Sequence, residues 1–293
     1  MTMNDDKSLL YACYINDVKL VKERMENVNP TQLKKSTIEM GTPLHAAAVN
    51  ENKEIVDLLL GVGINIETGN ILKDSPLLTC IEKGKYEMAK YLIEKGADVN
   101  KKGCQNRHSL SKLILYAWDM SFAHYLLQKG CDINQTAIDK QSLLSDAASS
   151  NNKEAIDFLL ANGIKKEYAN SAVCWGIIHN SVDSVRLLLD SGVDLNEVYA
   201  SCKGIEKSMY HTAIERKGYD RMVRLLIEKG VDFKAIPERA VVVGIDKTKL
   251  SPFEFAKEKL QKWPSEIYIN DHLEIVEQNS LQNAVFETKT AKE

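Results

Sequence analysis

Apolar residues in this chain recur at helical spacing and then run into a glycine. In KEIVDLLLGVG, Lys53 to Gly63, the residues Ile55, Leu58 and Leu59 fall on one face of a helix. An apolar triplet, two further residues and a glycine stand at LLLGVG ending at Gly63, YLIEKG at Gly96, YLLQKG at Gly130, FLLANG at Gly163, LLLDSG at Gly192 and LLIEKG at Gly230. The intervals are 33, 34, 33, 29 and 38 residues. Six copies at a period near 33 predict a solenoid of repeated units rather than a duplicated loop. Each glycine sits where a helix is stopped by a left-handed residue.

Ahead of each such helix lies a second, shorter helical segment, spelled most clearly in GTPLHAAAVNENKEIVDLLLGVGINI. Thr42 can cap it, Pro43 occupies the first turn where no N–H is needed, and Ala46, Ala47 and Ala48 let a neighbour approach closely. This resembles the ankyrin repeat, whose hallmark T-P-L-H-x-A stands here as Thr42, Pro43, Leu44, His45, Ala46 and Ala47. Eroded versions begin at Ser75, Ser142, Ser171 and Ser208, while the third copy, HSLSKLILYAWDMSFAHYLLQKGCDIN, lacks the proline and carries one extra residue between its helices. The resemblance implies an all-α ankyrin-repeat solenoid of paired antiparallel helices with β-hairpin-like fingers. It also implies that His45, and His211 in SMYH, make structural hydrogen bonds between neighbouring repeats.

On this reading residues 1–280 form a single array, with a cap at 1–37 and repeats at about 38–70, 71–104, 105–137, 138–166, 167–204 and 205–247. An irregular last repeat at 248–280 opens with SPFEFA at Ser251 and contains DHLEIVEQ from Asp271, and the polar tail 281–293 is expected to fray. Two connections are overlong. Glu197 to Lys207 lengthens the fifth interval, and Lys234 to Leu250 contains the β-prone run Ala240 to Ile245, where a longer hairpin is expected.

Composition narrows the function. A net charge of -3, with no dense run of Lys and Arg, gives no field to concentrate nucleic acid. No stretch reaches the roughly 18 apolar residues of a membrane span, and the start lacks the basic and apolar regions of a secretion signal. A cytoplasmic protein, monomeric when free, is expected. The six cysteines are scattered without a Cys-x-x-Cys pair, which suits structural thiols in a reducing compartment.

No nucleophile, base or metal cluster stands apart from the repeat, so neither enzymatic activity nor a cofactor or metal is expected. Neither His-x-x-x-His nor His-Glu-x-x-His occurs. GVGINIETGN follows a helix rather than a strand and lacks Gly-Lys-Ser or Gly-Lys-Thr, which excludes a phosphate loop. What remains is binding of another protein. In proteins that resemble this one the concave groove, built from the exposed side of each first helix and the finger tips, engages protein partners. Aligned with that surface are Val49 and Asn50, Glu82 and Lys83, Leu115 and Tyr116, Ser149 and Ser150, Ile178 and His179, and Glu215 and Arg216, whose charges are mixed. Tyr116, Trp118, Ile178 and His179 are the foremost candidates because aromatic side chains and histidine supply contact area at low entropy cost. A shifted third repeat would instead turn Tyr116 or Trp118 into the core, while Trp175 is expected to be core. Arg107, Asp139, Tyr168 and Tyr199 on the fingers would form a rim.

Three functions follow. The chain is a non-enzymatic interaction module, or an inhibitor or toxin-neutralising protein that occludes an enzyme partner, or it houses a cryptic activity in the irregular segment Lys234 to Asn279.

Overall fold

The recurring glycine ends each second helix by one geometry. After the helix Tyr86–Glu94, Gly96 adopts φ 99°, its N–H donates to Ile93 O (3.0 Å) and the Ala97 N–H donates to Leu92 O (3.0 Å). Two carbonyls that the helix leaves open are thereby satisfied, and Ala97 is turned into the interior. Gly63, Gly130, Gly163, Gly192 and Gly230 share the conformation at φ between 85° and 93°.

A computed structural model of the chain describes residues 8–26, 41–193, 199–202, 205–234, 250–262, 265 and 268–290. It divides into two compact units, Met1–Leu143 and Leu144–Glu293, each considered by itself. The first contains the helices α1 (Leu9–Tyr14), α2 (Val18–Met25), α3 (Pro43–Val49), α4 (Lys53–Gly61), α5 (Pro76–Glu82), α6 (Tyr86–Glu94), α7 (Ser109–Tyr116) and α8 (Met120–Gln128). The first helices stack in order, α1 on α3, α3 on α5 and α5 on α7. The second unit contains α9 (Leu143–Ser149), α10 (Lys153–Ala161), α11 (Ala169–Ile178), α12 (Val182–Asp190), α13 (Met209–Ile214), α14 (Asp220–Glu228), α15 (Pro252–Lys262) and α16 (Tyr268–Thr290). There α11 packs on α13 and α13 on α15, while α10, α12, α14 and α16 form the second row.

Burial of one face holds each row. In α4 the buried residues are Ile55, Val56 and Leu59, with Leu58 half-buried, so the core stripe lies slightly off the face expected from spacing alone. Leu92 and Met88 in α6 are buried likewise. Each such side chain stabilises the stack by about 1.5–3 kcal/mol.

The T-P-L-H segment acts as a joint between units. His45 Nδ1 accepts from the Thr42 N–H (3.3 Å) and hydroxyl (2.7 Å), and its Nε2–H donates to Asp74 O of the next unit (2.8 Å). The neutral Nε2–H tautomer satisfies all three bonds, and burial holds the pKa below the ordinary histidine value. Gly41 precedes this joint at φ 66°, and an added Cβ would stand 2.7 Å from His45 Cβ. His211 repeats the bond to the next unit, its Nε2 facing Leu250 O at 3.2 Å, as the resemblance implied. At the last repeat Ser251 and Glu254 form a reciprocal cap, with Ser251 N–H donating to Glu254 Oε2 (3.1 Å) and Glu254 N–H to Ser251 Oγ (3.2 Å).

The departures are local. α7 has 8 residues where α3 and α5 have 7, so the extra residue of the third repeat, expected between its helices, lengthens the first helix instead. Among the described residues strands occur only at β1 (Tyr199–Cys202) and β2 (Ile205–Ser208), an antiparallel pair with Tyr199 opposite Ser208. The other described connections are turns and short 3-10 segments, so a hairpin at each finger is not general. The residues Ala240 to Ile245, and with them the expected longer hairpin, lie outside the described residues. The tail from residue 281 does not fray at once, since α16 continues to Thr290. Trp175, expected in the core, is half-buried and stacks on His179 at 5.8 Å between ring centroids.

Candidate protein-binding surface

The ends of the first helices decide which of the expected contact residues are available. A helix leaves its last carbonyls open, and in this chain a neighbouring repeat often supplies the donor. Asn50 Nδ2 donates to Cys13 O (3.0 Å) and Tyr14 O (2.9 Å), and the Tyr86 hydroxyl donates to Ala117 O. In the second unit Arg216 Nη1 (2.8 Å) and the Tyr219 hydroxyl (2.7 Å) both donate to Ile178 O, and His272 Nδ1 donates to Ile214 O (2.9 Å).

Several predicted contact residues are therefore engaged inside their own unit. Arg216 closes the end of α11 at Ile178, which is itself half-buried. Glu215 faces Lys259 of α15 at 3.6 Å. His179 is exposed but stacked on Trp175. Tyr168 is half-buried at the end of the 3-10 segment Lys166–Tyr168. Tyr199 begins β1, and its side chain, like that of Asp139, lies outside the described residues. Arg107 is half-buried and donates from Nη2 to Gln141 Oε1 (3.1 Å).

In the first unit a groove of about 370 Å³ runs between the ends of α1, α3 and α5 and the finger that precedes α5. The finger is shaped by Asn70, whose Oδ1 accepts from the N–H groups of Leu72 (2.9 Å) and Asp74 (3.1 Å). That turn holds Ile71 and Leu72 outward, Leu72 being 58% exposed, and folds the Asp74 carboxyl inward. Tyr14, 44% exposed, Val49 and Leu72 supply the apolar walls, with Ala46 and Thr79 also in the lining.

The charges of the groove are organised from the irregular repeat. Lys112 of α7 is buried, with its Nζ 2.8 Å from Asp74 Oδ2 and 2.8 Å from Glu82 Oε2. Asp74 Oδ1 accepts the Cys104 N–H at 2.8 Å. Burial by itself would lower the Lys112 pKa, but the bonds to Asp74 and Glu82 outweigh it and hold the ammonium above the ordinary lysine value. Lys112 Nζ also lies 5.2 Å from the ring centroid of Tyr116. Tyr116 is 57% exposed, so the extra residue has not turned it into the core, and Trp118 is half-buried in the connection to α8.

The structure thus brings Glu82 and Lys83 into one groove and sets Tyr116 beside the lysine that holds Glu82. It adds Tyr14 and Leu72, which repeat position alone does not single out. The available signal was the apolar pair Ile71 and Leu72 set in a polar turn, NILKDS.

Burial pushes the thiols of Cys13, Cys80, Cys131 and Cys174 up to about 12, so they are protonated at neutral pH. Among the described residues no three His, Cys, Asp or Glu side chains are placed to hold a metal. No described helix is long and apolar enough to cross a membrane.

The profile of the family described as ankyrin repeats (3 copies) matches residues 9–103 and 113–199. The chain belongs to the ankyrin-repeat family, whose members are generally protein–protein interaction modules and typically non-enzymatic. Among curated proteins no sequence matches it.

Proposed function

We propose that the chain binds a protein partner chiefly through its first unit, over the groove walled by Tyr14, Val49 and Leu72 and onward to Tyr116. One observation carries this. All eight large apolar residues that stand exposed among the described residues, Tyr14, Ile15, Val62, Ile71, Leu72, Tyr116, Met120 and Ile138, precede Leu143. Exposed apolar surface is costly to solubility and marks contact sites when it gathers on one part of a protein. In the second unit Glu215 and Arg216, expected on the groove, are themselves taken up by Lys259 and by Ile178 O. On this reading the free chain is a cytoplasmic monomer, and Tyr116 and Lys83 remain contact residues while His179 and Arg216 do not.

Affinity capture from native lysate, with the bound proteins identified by mass spectrometry, tests the reading. Tyr14→Ala with Leu72→Ser should remove the partner, with stability changed by only about 0.5 kcal/mol because both side chains are exposed. His179→Ala should retain it. Capture that survives the first variant and fails with the second would place the contact in the other unit and end this reading.

A further inference from the structure

We propose that the second unit carries a site of spontaneous modification, Asn162–Gly163, where water alone converts the asparagine to aspartate and isoaspartate. Asn162 is the only asparagine of the chain that glycine follows. The conversion needs a side-chain amide, an unhindered backbone nitrogen directly after it, and room for a five-membered ring. Glycine has no Cβ to crowd its nitrogen. Both residues are exposed, and a Cβ built at Gly163 would meet nothing within 4 Å.

The helix stop of this repeat also leaves that nitrogen unengaged. The other stop glycines donate their N–H to the carbonyl three residues back, Gly63 to Leu60 O (3.0 Å), Gly96 to Ile93 O (3.0 Å), Gly130 to Leu127 O (3.0 Å), Gly192 to Leu189 O (3.1 Å) and Gly230 to Ile227 O (2.9 Å). Gly163 makes no such bond. There the Asn162 N–H is shared between Phe158 O (3.1 Å) and Leu159 O (3.3 Å), and the Ile164 N–H closes the turn on Leu159 O (3.2 Å). Two restraints hold the reaction back in the folded chain. Asn162 Nδ2 donates to Phe158 O (2.7 Å), and at ψ 16° the glycine nitrogen points away from the side chain. Ring closure therefore requires the end of α10 to open, a local fluctuation of the kind that costs least at a frayed helix end.

Once open, the Gly163 nitrogen gives its proton to solvent base and attacks Asn162 Cγ. The new N–Cγ bond forms as the Cγ–Nδ2 bond breaks, and Nδ2 leaves with a proton as ammonia. Water then opens the succinimide, giving aspartate if the N–Cγ bond is cut and isoaspartate if the bond to the Asn162 backbone carbonyl carbon is cut. One water is consumed, one ammonia is released and nothing is oxidised. The new carboxylate cannot donate to Phe158 O, and it stands at the negative end of the α10 dipole. Isoaspartate also lengthens the main chain just ahead of Ile164, whose side chain is buried.

The test incubates the full chain in mildly alkaline buffer and digests it at intervals, reading peptide masses for replacement of NH2 by OH and separating the two products by retention. Residue 162 should convert several-fold faster than the exposed Asn106 and Asn151, which are followed by Arg107 and Asn152. A synthetic peptide of residues 157–168 should convert faster still, and urea below the unfolding transition should bring the chain toward the peptide's rate. Asn162→Asp should speed hydrogen exchange of the Ile164 N–H several-fold. Conversion at residue 162 no faster than at Asn106 and Asn151 overturns the site. A folded chain that already matches the peptide, or ignores urea, overturns the opening step, and unchanged Ile164 exchange in Asn162→Asp overturns the effect on the helix end.

Discussion

Replacing Lys112 with methionine probes the most heavily buried charge cluster of the first unit. The side chains of Lys112 and Asp74 are 5% and 4% exposed, whereas Glu82 is 40% exposed. Methionine keeps much of the aliphatic stem, so the loss comes mainly from the charges. Breaking a buried pair by removing one partner costs about 3–5 kcal/mol because the other charge is left uncompensated. Asp74 retains the Cys104 N–H, and Glu82 can turn to water, so the lower end, about 3 kcal/mol, is expected. At roughly 2–4 °C per kcal/mol for a domain of this size, the melting transition of the first unit should fall by about 6–12 °C. Scanning calorimetry at neutral pH measures it, because the ammonium, raised above its ordinary pKa, contributes fully below pH of about 10 and loses its contribution as pH rises through the folded value. Asp74→Asn combined with Lys112→Met removes both charges, and the double variant should be less destabilised than the sum of the singles by about 1–3 kcal/mol. A Lys112→Met loss below about 1 kcal/mol, or singles that simply add, would refute the claim that this attraction outweighs desolvation.

Three further outcomes can be checked by urea denaturation followed by circular dichroism. Leu92→Ala should cost about 2–5 kcal/mol, since Leu92 is fully buried and its truncation leaves a cavity between the helices. Gly41→Ala should cost about 2 kcal/mol or more, from a side chain at φ 66° whose Cβ would stand 2.7 Å from His45 Cβ; a neutral effect would mean the joint can shift. Burial lowers the His108 pKa to about 4, so its neutral form is favoured by folding and stability should be lost as pH falls from about 6.5 toward about 4. The loss has an upper bound of about 3 kcal/mol, and His108→Gln should flatten that part of the pH profile; an unchanged slope would show that the imidazole does not carry it.

Local chemistry makes the repeat legible in the chain itself. The glycine stops act within a single helix end, the Thr42 cap and Pro43 within a single turn, and the apolar triplets on the face of a single helix, so about ten residues suffice to recognise each. Even there the buried stripe of α4 is displaced, because packing against a neighbour selects Val56 where spacing alone selects Leu58. The candidate surface is harder to read for a reason of distance. Lys112 in SLSKLILY looks like a solvated lysine, and only the stacking of α7 on α5 brings it to Asp74, 38 residues earlier. Glu215 and Arg216 occupy groove positions by repeat count, yet the helix end at Ile178 and the lysine of α15 take them up. Tyr14 and Leu72, 58 positions apart, line one groove because the stacking of α1 on α3 and of α3 on α5 sets them on either side of the intervening repeat. The sequence by itself determined the unit and its period, since those depend on bonds between near neighbours. The tertiary structure alone decided which surface residues remain free to bind, because that depends on what the next repeat has already satisfied.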